Sequence, residues 1–248
     1  MSGHSKWSTI KRQKGAKDEK RGQLFTKLAR EITVAAKSGV PDPDANVRLR
    51  IAVQKARSEN MPRDNIERAI ERAAGGVGAD NYDDVSYEGF GPGGVAVVIH
   101  ALTDNRNRTV GEVRSVLTRA GGTLGENGSV SWMFDHVGAI VVDAGAGDPE
   151  ELALVAIDAG AQDVQIEEDA VEVFTEVQDL HVVQEAIVAA GFEVESAEPT
   201  MRPKTMMDLE VQDAIKTIRL LEKLEELDDV QQVYSNLEVT EDILAAVG

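Results

Sequence analysis

The chain contains no cysteine, and this absence excludes several kinds of site. Disulfides, thiolate zinc sites, iron–sulfur clusters and cysteine nucleophiles all require that residue. No apolar run approaches the roughly 20 residues of a membrane-spanning helix, so we expect no membrane association. Residues 1–7 carry positive charge without the apolar segment of a signal peptide. The sequence therefore predicts a cytoplasmic protein.

Catalytic and metal-binding signatures are also missing. There is no phosphate-binding loop of the Walker type, no HExxH zinc motif and no G-x-S-x-G nucleophile elbow. The four histidines are widely spaced, and the acidic clusters lack the spacing of calcium loops. We predict that the protein is not an enzyme and that it has no catalytic residue, metal site or cofactor.

Positive charge is scarce overall but strongly concentrated. The formal net charge of −18 argues, taken alone, against binding to nucleic acid. Residues 1–76, however, hold 17 Lys or Arg and 9 Asp or Glu, whereas residues 77–248 hold 9 and 35. The chain thus has a basic head of net charge +8 on an acidic body of net charge −26. Such asymmetry indicates a polyanion partner for the head.

The head has the pattern of a small helical domain. Apolar residues recur at three- and four-residue spacing from about residue 18, and breaks near residues 39–41 and 60–62 predict three helices. Residues 1–17 are polar and basic and cannot bury much surface, so we expect a mobile arm. We assign residues 1–76 to this basic helical domain with its arm.

The body alternates between strand and helix patterns. Strands are predicted at 85–90, 95–102 and 129–134, with a helix at 109–120. Between residues 138 and 197 the predicted order is β-α-β-β-α-β, which is typical of ferredoxin-like folds. A last helix (209–227) and strand (229–234) have no neighbouring partners in sequence, so we expect them to complete the earlier sheet.

The predicted fold class is therefore α+β with three domains. An N-terminal three-helix domain is followed by two α/β sandwich domains, and the third, ferredoxin-like domain is inserted in the second. The predicted boundaries are 1–76, 77–135 together with 204–248, and 136–203.

Basic residues interleaved with aromatic ones make the head the candidate binding surface. Lys and Arg would contact phosphates, and an aromatic ring could stack on a base. Two alternatives remain open, namely a solvated helix face with a disordered tail, or a basic patch that docks on the acidic body. The candidate nucleic-acid-binding residues are Lys6, Trp7, Lys11, Arg12, Lys14, Lys17, Lys20, Arg21, Lys27, Arg30, Arg48, Arg50, Lys55 and Arg57.

One loop of the body invites two interpretations. It places two arginines in an otherwise acidic region just before a predicted helix, in the run Asp104, Asn105, Arg106, Asn107 and Arg108. It is either a polar loop with Asn107 as the helix N-cap, or an anion or partner contact at a helix start. Residue pattern alone favours the polar loop.

Six segments give the sequence a resemblance to the YebC/PmpR family over essentially its whole length. They are Gly3-His4-Ser5-Lys6-Trp7, Lys20-Arg21-Gly22 with Phe25-Thr26-Lys27-Leu28, Asn60-Met61-Pro62-Arg63-Asp64-Asn65-Ile66, Tyr87-Glu88-Gly89-Phe90-Gly91-Pro92-Gly93-Gly94-Val95-Ala96, Leu102-Thr103-Asp104-Asn105-Arg106-Asn107-Arg108-Thr109 and Gly128-Ser129-Val130-Ser131-Trp132-Met133-Phe134. The resemblance implies the same three-domain arrangement. The resemblance also favours the interpretation of the 104–108 loop as a contact site.

The resemblance implies two functions. Members of the family are described as probable DNA-binding regulators of transcription, and others resemble ribosome-associated factors that assist synthesis of difficult peptides. We predict a DNA-binding transcriptional regulatory protein, with a translation factor that binds ribosomal RNA as the alternative. No helix carries an evident set of base-reading side chains, which leaves sequence-specific recognition unsupported. The acidic body should face away from nucleic acid or toward a basic protein partner.

Overall fold

The structure is a computed structural model that describes residues 18–247 apart from residues 74, 76–80, 144, 146, 168 and 169. Side chains are described from residue 21 to residue 246 within that range, so the predicted arm lies outside it. The helices are α1 (Asp18–Lys37), α2 (Val47–Ser58), α3 (Arg63–Ala73), α4 (Arg106–Arg119), α5 (Pro149–Asp158), α6 (Leu180–Ala189), α7 (Val211–Glu225) and α8 (Glu241–Val247). The strands are β1 (Asp83–Phe90), β2 (Ala96–Thr103), β3 (Thr123–Leu124), β4 (Phe134–Asp143), β5 (Asp163–Ile166), β6 (Ala170–Thr175), β7 (Val194–Pro203) and β8 (Val230–Ser235).

The head is the predicted three-helix unit. Helix α1 packs against both α2 and α3, and Ile32, Leu49 and Ile66 are buried between them. Helix α2 begins at Val47 because Asn46 is extended and its side chain accepts the Leu49 N–H at 3.1 Å. Such an N-cap satisfies a backbone donor that the first helical turn leaves without a partner.

The first sheet has the strand order β3-β1-β2-β8, and every pairing in it is antiparallel. A tight turn at Pro92–Gly94 joins β1 to β2, with Gly93 at a φ of 69° that favours glycine. Helices α4 and α7 cover one face of the sheet, where Ile99, Leu117 and Ile218 are fully buried. As expected, the late strand β8 returns to pair with β2.

The second sheet has the order β5-β6-β4-β7, again fully antiparallel. Numbered within the unit, this is the 4-1-3-2 order of a ferredoxin-like fold, with helices α5 and α6 packed on one face. The strands of this sheet all lie in the chain between β3 and β8 of the first sheet. The α+β fold class is thereby confirmed, while the domain boundaries at 135/136 and 203/204 stay a prediction.

One predicted strand is wrong. Residues 129–134 hold a 3-10 turn at Ser131–Met133, and strand β4 begins only at Phe134. The buried carboxylate of Glu88 accepts the backbone N–H groups of Gly128, Val130 and Ser131 at 2.7–2.8 Å. Because these donors serve a side chain, they are not available for a strand ladder. The short strand β3 and the terminal helix α8 were not predicted.

None of the described helices combines the length and apolar character that crossing a bilayer requires.

Candidate nucleic-acid interface

The predicted interface residues differ in how much of them the structure describes. Six lie outside the described residues, namely Lys6, Trp7, Lys11, Arg12, Lys14 and Lys17. Lys20 is described only by its backbone in α1. The remaining candidates on α1 and α2 have described side chains. Their contacts decide which of them face an incoming ligand.

Arg30 faces the acidic body. Its Nη1 donates to Asp229 Oδ1 and to the Asp228 carbonyl oxygen, both at 2.7 Å. Its guanidinium lies 5.3 Å from the centre of the Tyr82 ring, a cation–π distance. Lys27, one turn earlier on α1, donates to the carbonyl oxygen of Glu225. These two residues attach α1 to the corner between α7 and β8.

Two residues of α2 also reach the body. Arg48 Nη2 lies 2.7 Å from Asp84 Oδ2 on β1, and Lys55 Nζ lies 2.8 Å from Glu198 Oε2 on β7. The basic face of the head is therefore partly docked on the body, which was one of the alternatives left open by the sequence. We leave Lys27, Arg30, Arg48 and Lys55 out of the proposed interface.

Arg50 has a structural role inside the head. Its Nε and Nη2 donate to the carbonyl oxygens of Pro43 and Asp44 at 3.0 and 2.7 Å. These bonds hold the connection between α1 and α2 against the first turns of α2, so Arg50 also leaves the proposed interface.

The remaining positive charge lies on the exposed side of the helices. Arg57 is exposed and its guanidinium has no partner among the described residues. Arg21 is exposed and lies 5.5 Å from the centre of the Phe25 ring. Helix α3 adds two arginines that we did not predict, Arg68 and Arg72, both exposed and neither with a side-chain partner among the described residues. Their spacing of four places them on one side of α3, and this was the signal that would have identified them.

A crevice opens between α1 and α3 beside these arginines. It has a volume of about 250 Å³. Its apolar wall comes from α1 and from the turn before α3, and its rim carries guanidinium groups. We call it the α1–α3 crevice, and it is lined by Phe25, Thr26, Ala29, Arg30, Thr33, Met61, Asn65, Arg68, Ala69, Arg72 and Tyr82.

The 104–108 loop is ordered by pairing within the body. Helix α4 starts at Arg106, and Asn105 is its N-cap, accepting the Arg108 N–H at 3.1 Å. The prediction of Asn107 as the cap is wrong, since Asn107 lies in the first turn of the helix. Arg106 pairs with Asp83 and Arg108 with Asp104, each at 2.7 Å. The loop thus has internal partners, and an anion or partner contact there stays untested.

Asp229 joins this loop to the head. The carboxylate is 2% exposed, and its Oδ2 lies 2.6 Å from Arg108 Nη2, 2.7 Å from the Thr109 hydroxyl and 3.1 Å from the Thr103 hydroxyl. Its Oδ1 accepts from Arg30. Burial alone would raise the pKa of Asp229, but these hydrogen bonds and the charge of Arg30 lower it overall. We call this set the Asp229 hub.

A second contact between head and body depends on pH. The side-chain hydrogen bond from His100, at 2.6 Å, and the contact with Arg48 lower the pKa of Asp84 to about 2, against the opposing effect of burial. Because the pKa of this carboxylate is lower in the folded state, its ionised form stabilises that state at pH values above the ordinary pKa of 3.8. The contribution is lost as the pH falls from about 4 toward 2.

We expect the Asp84→Asn variant to show a smaller fall in Tm between pH 5 and pH 2 than the unmodified protein. The reason is that the variant has no carboxylate to protonate at this contact. Thermal unfolding followed by circular dichroism over that pH range measures the difference. Asp158→Asn, which removes an exposed carboxylate at the end of α5, is the matched control. Identical slopes for Asp84→Asn and the unmodified protein would contradict the assigned role.

A wide central cleft of about 1230 Å³ lies where the head and both sheets meet. Its charged lining has both signs and includes Glu31, Arg48, Lys55, Asp84 and Glu198. Lys55 and Asp84 already have partners there. Within the described part of the chain, no group of three or more His, Asp or Glu side chains is placed to hold a metal ion.

Comparison with known proteins identifies the family. The model for the TACO1/YebC N-terminal domain matches residues 5–76, and the model for the TACO1/YebC second and third domain matches residues 82–237. A probable transcriptional regulatory protein of Roseiflexus castenholzii is 56% identical over 98% of this chain and 97% of its own length. A protein of the same description from Chloroflexus aurantiacus is 52% identical over 99% and 98%.

A solved structure agrees with these sequence matches. The crystal structure of a conserved hypothetical protein from Aquifex aeolicus superposes with a TM-score of 0.83 at 47% identity, covering 92% of this chain and 94% of that one. Sequence and structure therefore place the chain in the TACO1/YebC family.

Proposed function

We propose that the protein is a non-enzymatic DNA-binding regulator of transcription that acts in the cytoplasm through its head. The observation that supports this most is the segregation of charge, because the head carries +8 while the body carries −26. Although four basic residues of the head dock on the body, Arg21, Arg57, Arg68 and Arg72 stay exposed. The relatives described as probable transcriptional regulatory proteins support the regulatory role.

The charge of the body sets the orientation of the complex. At −26 the body repels phosphates, so nucleic acid approaches from the side of the head that carries the exposed arginines and the α1–α3 crevice. The body then points outward, where its acidic surface suits a basic protein partner.

One observation favours the second candidate, a ribosome-associated translation factor that binds ribosomal RNA. Helix α3, which carries the exposed arginines beside the crevice, also exposes Asp64, Glu67 and Glu71. Arg63 is also held by Glu67 at 2.6 Å. Carboxylates on this face disfavour insertion into a DNA major groove, whereas unpaired RNA can be bound by stacking and phosphate contacts.

Crosslinking the same tagged protein to DNA and to RNA in cells separates the two candidates. We expect enrichment at promoter DNA if the protein regulates transcription, because phosphate contacts by the head bring it within crosslinking range. Enrichment on ribosomal RNA alone would overturn the transcription proposal and establish the second candidate. Absence of enrichment on either nucleic acid would overturn both. A variant with Arg114 and Arg119 of α4 replaced by Gln loses two exposed charges of the body and should keep the native profile.

A further inference from the structure

The α1–α3 crevice has the size of a site for one small polar group with an apolar part. At about 250 Å³ it falls below the roughly 300–1,000 Å³ of pockets for drug-sized ligands. Phe25, Ala29 and Met61 give it an apolar wall, and Tyr82 lies at its edge. The crevice is therefore suited to one small unit rather than to an extended ligand.

Three polar side chains converge on the crevice without partners. The guanidinium groups of Arg68 and Arg72 and the amide of Asn65 make no side-chain hydrogen bond to any described residue. The contrast with Arg30, Arg48 and Arg108 is informative, because each of those arginines is paired with an Asp. In a chain with 44 Asp and Glu, the crevice keeps two arginines free of carboxylates.

The chemistry of the lining matches a nucleotide. Two guanidinium groups one turn apart suit the oxygens of a phosphate, to which arginine donates paired hydrogen bonds. Aromatic rings stack on bases, and the crevice offers two of them, Phe25 and Tyr82. The amide of Asn65 can pair with the edge of a base, as asparagine does with adenine.

On the basis of the proposed nucleic-acid binding, we propose that the α1–α3 crevice binds one unstacked nucleotide. The phosphate lies between Arg68 and Arg72, and the base lies against the wall formed by Phe25. The arm supplies sequence-independent contacts to the strand, and the crevice captures a nucleotide that has left the stack. The same chemistry admits a free nucleoside monophosphate.

The double variant Arg68→Gln with Arg72→Gln tests the phosphate contacts. We expect it to bind a fluorescein-labelled 12-nucleotide RNA or single-stranded DNA about tenfold more weakly than the full-length native chain at 0.1 M KCl. The magnitude of the salt slope should fall by about 0.7, because the two arginines share one phosphate and each phosphate contact on a single strand contributes about 0.7. Fluorescence anisotropy across a KCl series gives both quantities. Arg114→Gln with Arg119→Gln removes equal charge from α4 and should change the affinity less than twofold.

Two measurements locate the base. Phe25→Leu keeps apolar volume in the head but removes the ring, and we expect about fivefold weaker single-strand binding with an unchanged salt slope. An RNA carrying 4-thiouridine should photocrosslink to peptides that contain Phe25 or Tyr82, as mapped by mass spectrometry. Competition by AMP at millimolar concentration for that crosslink identifies a free nucleotide as a ligand of the same site. If AMP does not compete, the crevice binds a nucleotide only when that nucleotide is part of a strand.

The outcomes distinguish failure of the nucleotide site from failure of the proposed function. If the crevice and α4 double variants bind alike, or crosslinks map outside the crevice while the native chain binds, the nucleotide site is overturned and the proposed function stands. If the native chain binds neither single strands nor duplex, both are overturned. The melting temperature of the Arg68→Gln, Arg72→Gln variant should match that of the native chain, because neither guanidinium has a partner to lose.

Discussion

Replacing Lys11, Arg12, Lys14 and Lys17 together with alanine is expected to weaken binding to duplex DNA by at least about 100-fold at 0.1 M KCl. The slope of log affinity against log salt should fall in magnitude by about 3 to 4, because each phosphate contact on duplex DNA contributes about 0.9. Four of the cations of the arm lie within seven residues of sequence, which lets a short segment follow the phosphates. Fluorescence anisotropy between 0.05 and 0.3 M KCl measures affinity and slope together.

A matched control tests whether the position of the four charges, and not the total charge of the chain, is responsible for the weaker binding. Arg114, Arg119, Arg219 and Lys223 are four exposed cations of the body, and their joint replacement by alanine removes the same charge. This second variant should bind within about threefold of the native chain. Equal losses in the two variants would show that net charge alone governs binding and would remove the arm from the mechanism.

Asp229→Ala is expected to cause the largest loss of stability of any single substitution in the Asp229 hub. Removing the buried carboxylate leaves Arg30 and Arg108 without their shared partner and leaves two threonine hydroxyls without an acceptor. Removing one member of a buried ion pair costs about 3–5 kcal/mol. In a chain of this size that lowers the Tm by about 10 °C. Differential scanning calorimetry measures the change.

The neighbouring residue supplies the control for this substitution. Asp228 is exposed and contributes only its backbone carbonyl oxygen to Arg30, so Asp228→Asn should leave the Tm nearly unchanged. A shift below about 2 °C for Asp229→Ala would show that the Asp229 hub does not hold the head to the body.

Local pattern was enough for the parts of the fold that local interactions determine. The three helices of the head were predicted because apolar residues recur at helical spacing toward one core, as Leu28 and Ile32 do in α1 and Leu49 and Val53 do in α2. The ferredoxin-like order was predictable for the same reason, since its strands and helices follow one another in sequence. The 129–134 segment was mispredicted because the carboxylate of Glu88, about 40 residues earlier, takes its backbone donors.

The candidate interface was harder to predict because it depends on contacts distant in sequence. Arg30 and Asp229 are 199 residues apart, so no local pattern distinguishes Arg30, which is docked, from Arg21, which is exposed. Arg68 and Arg72 were overlooked for the opposite reason, since Asp64, Glu67 and Glu71 make α3 look neutral on average. Folding separates these charges, and the arginines beside the crevice remain unpaired.

The late return of β8 to the first sheet has a consequence for synthesis on the ribosome. Strand β2 pairs with β8 at Val97 to Ala101, yet about 130 residues separate the two strands in the chain. At about 5–20 residues per second, β2 presents an open apolar edge for on the order of ten seconds. The ferredoxin-like unit is complete at Pro203 and can close within that interval. Because Asp229 directly precedes β8 in the chain, the head can form its contact with the Asp229 hub only after this late segment has been translated.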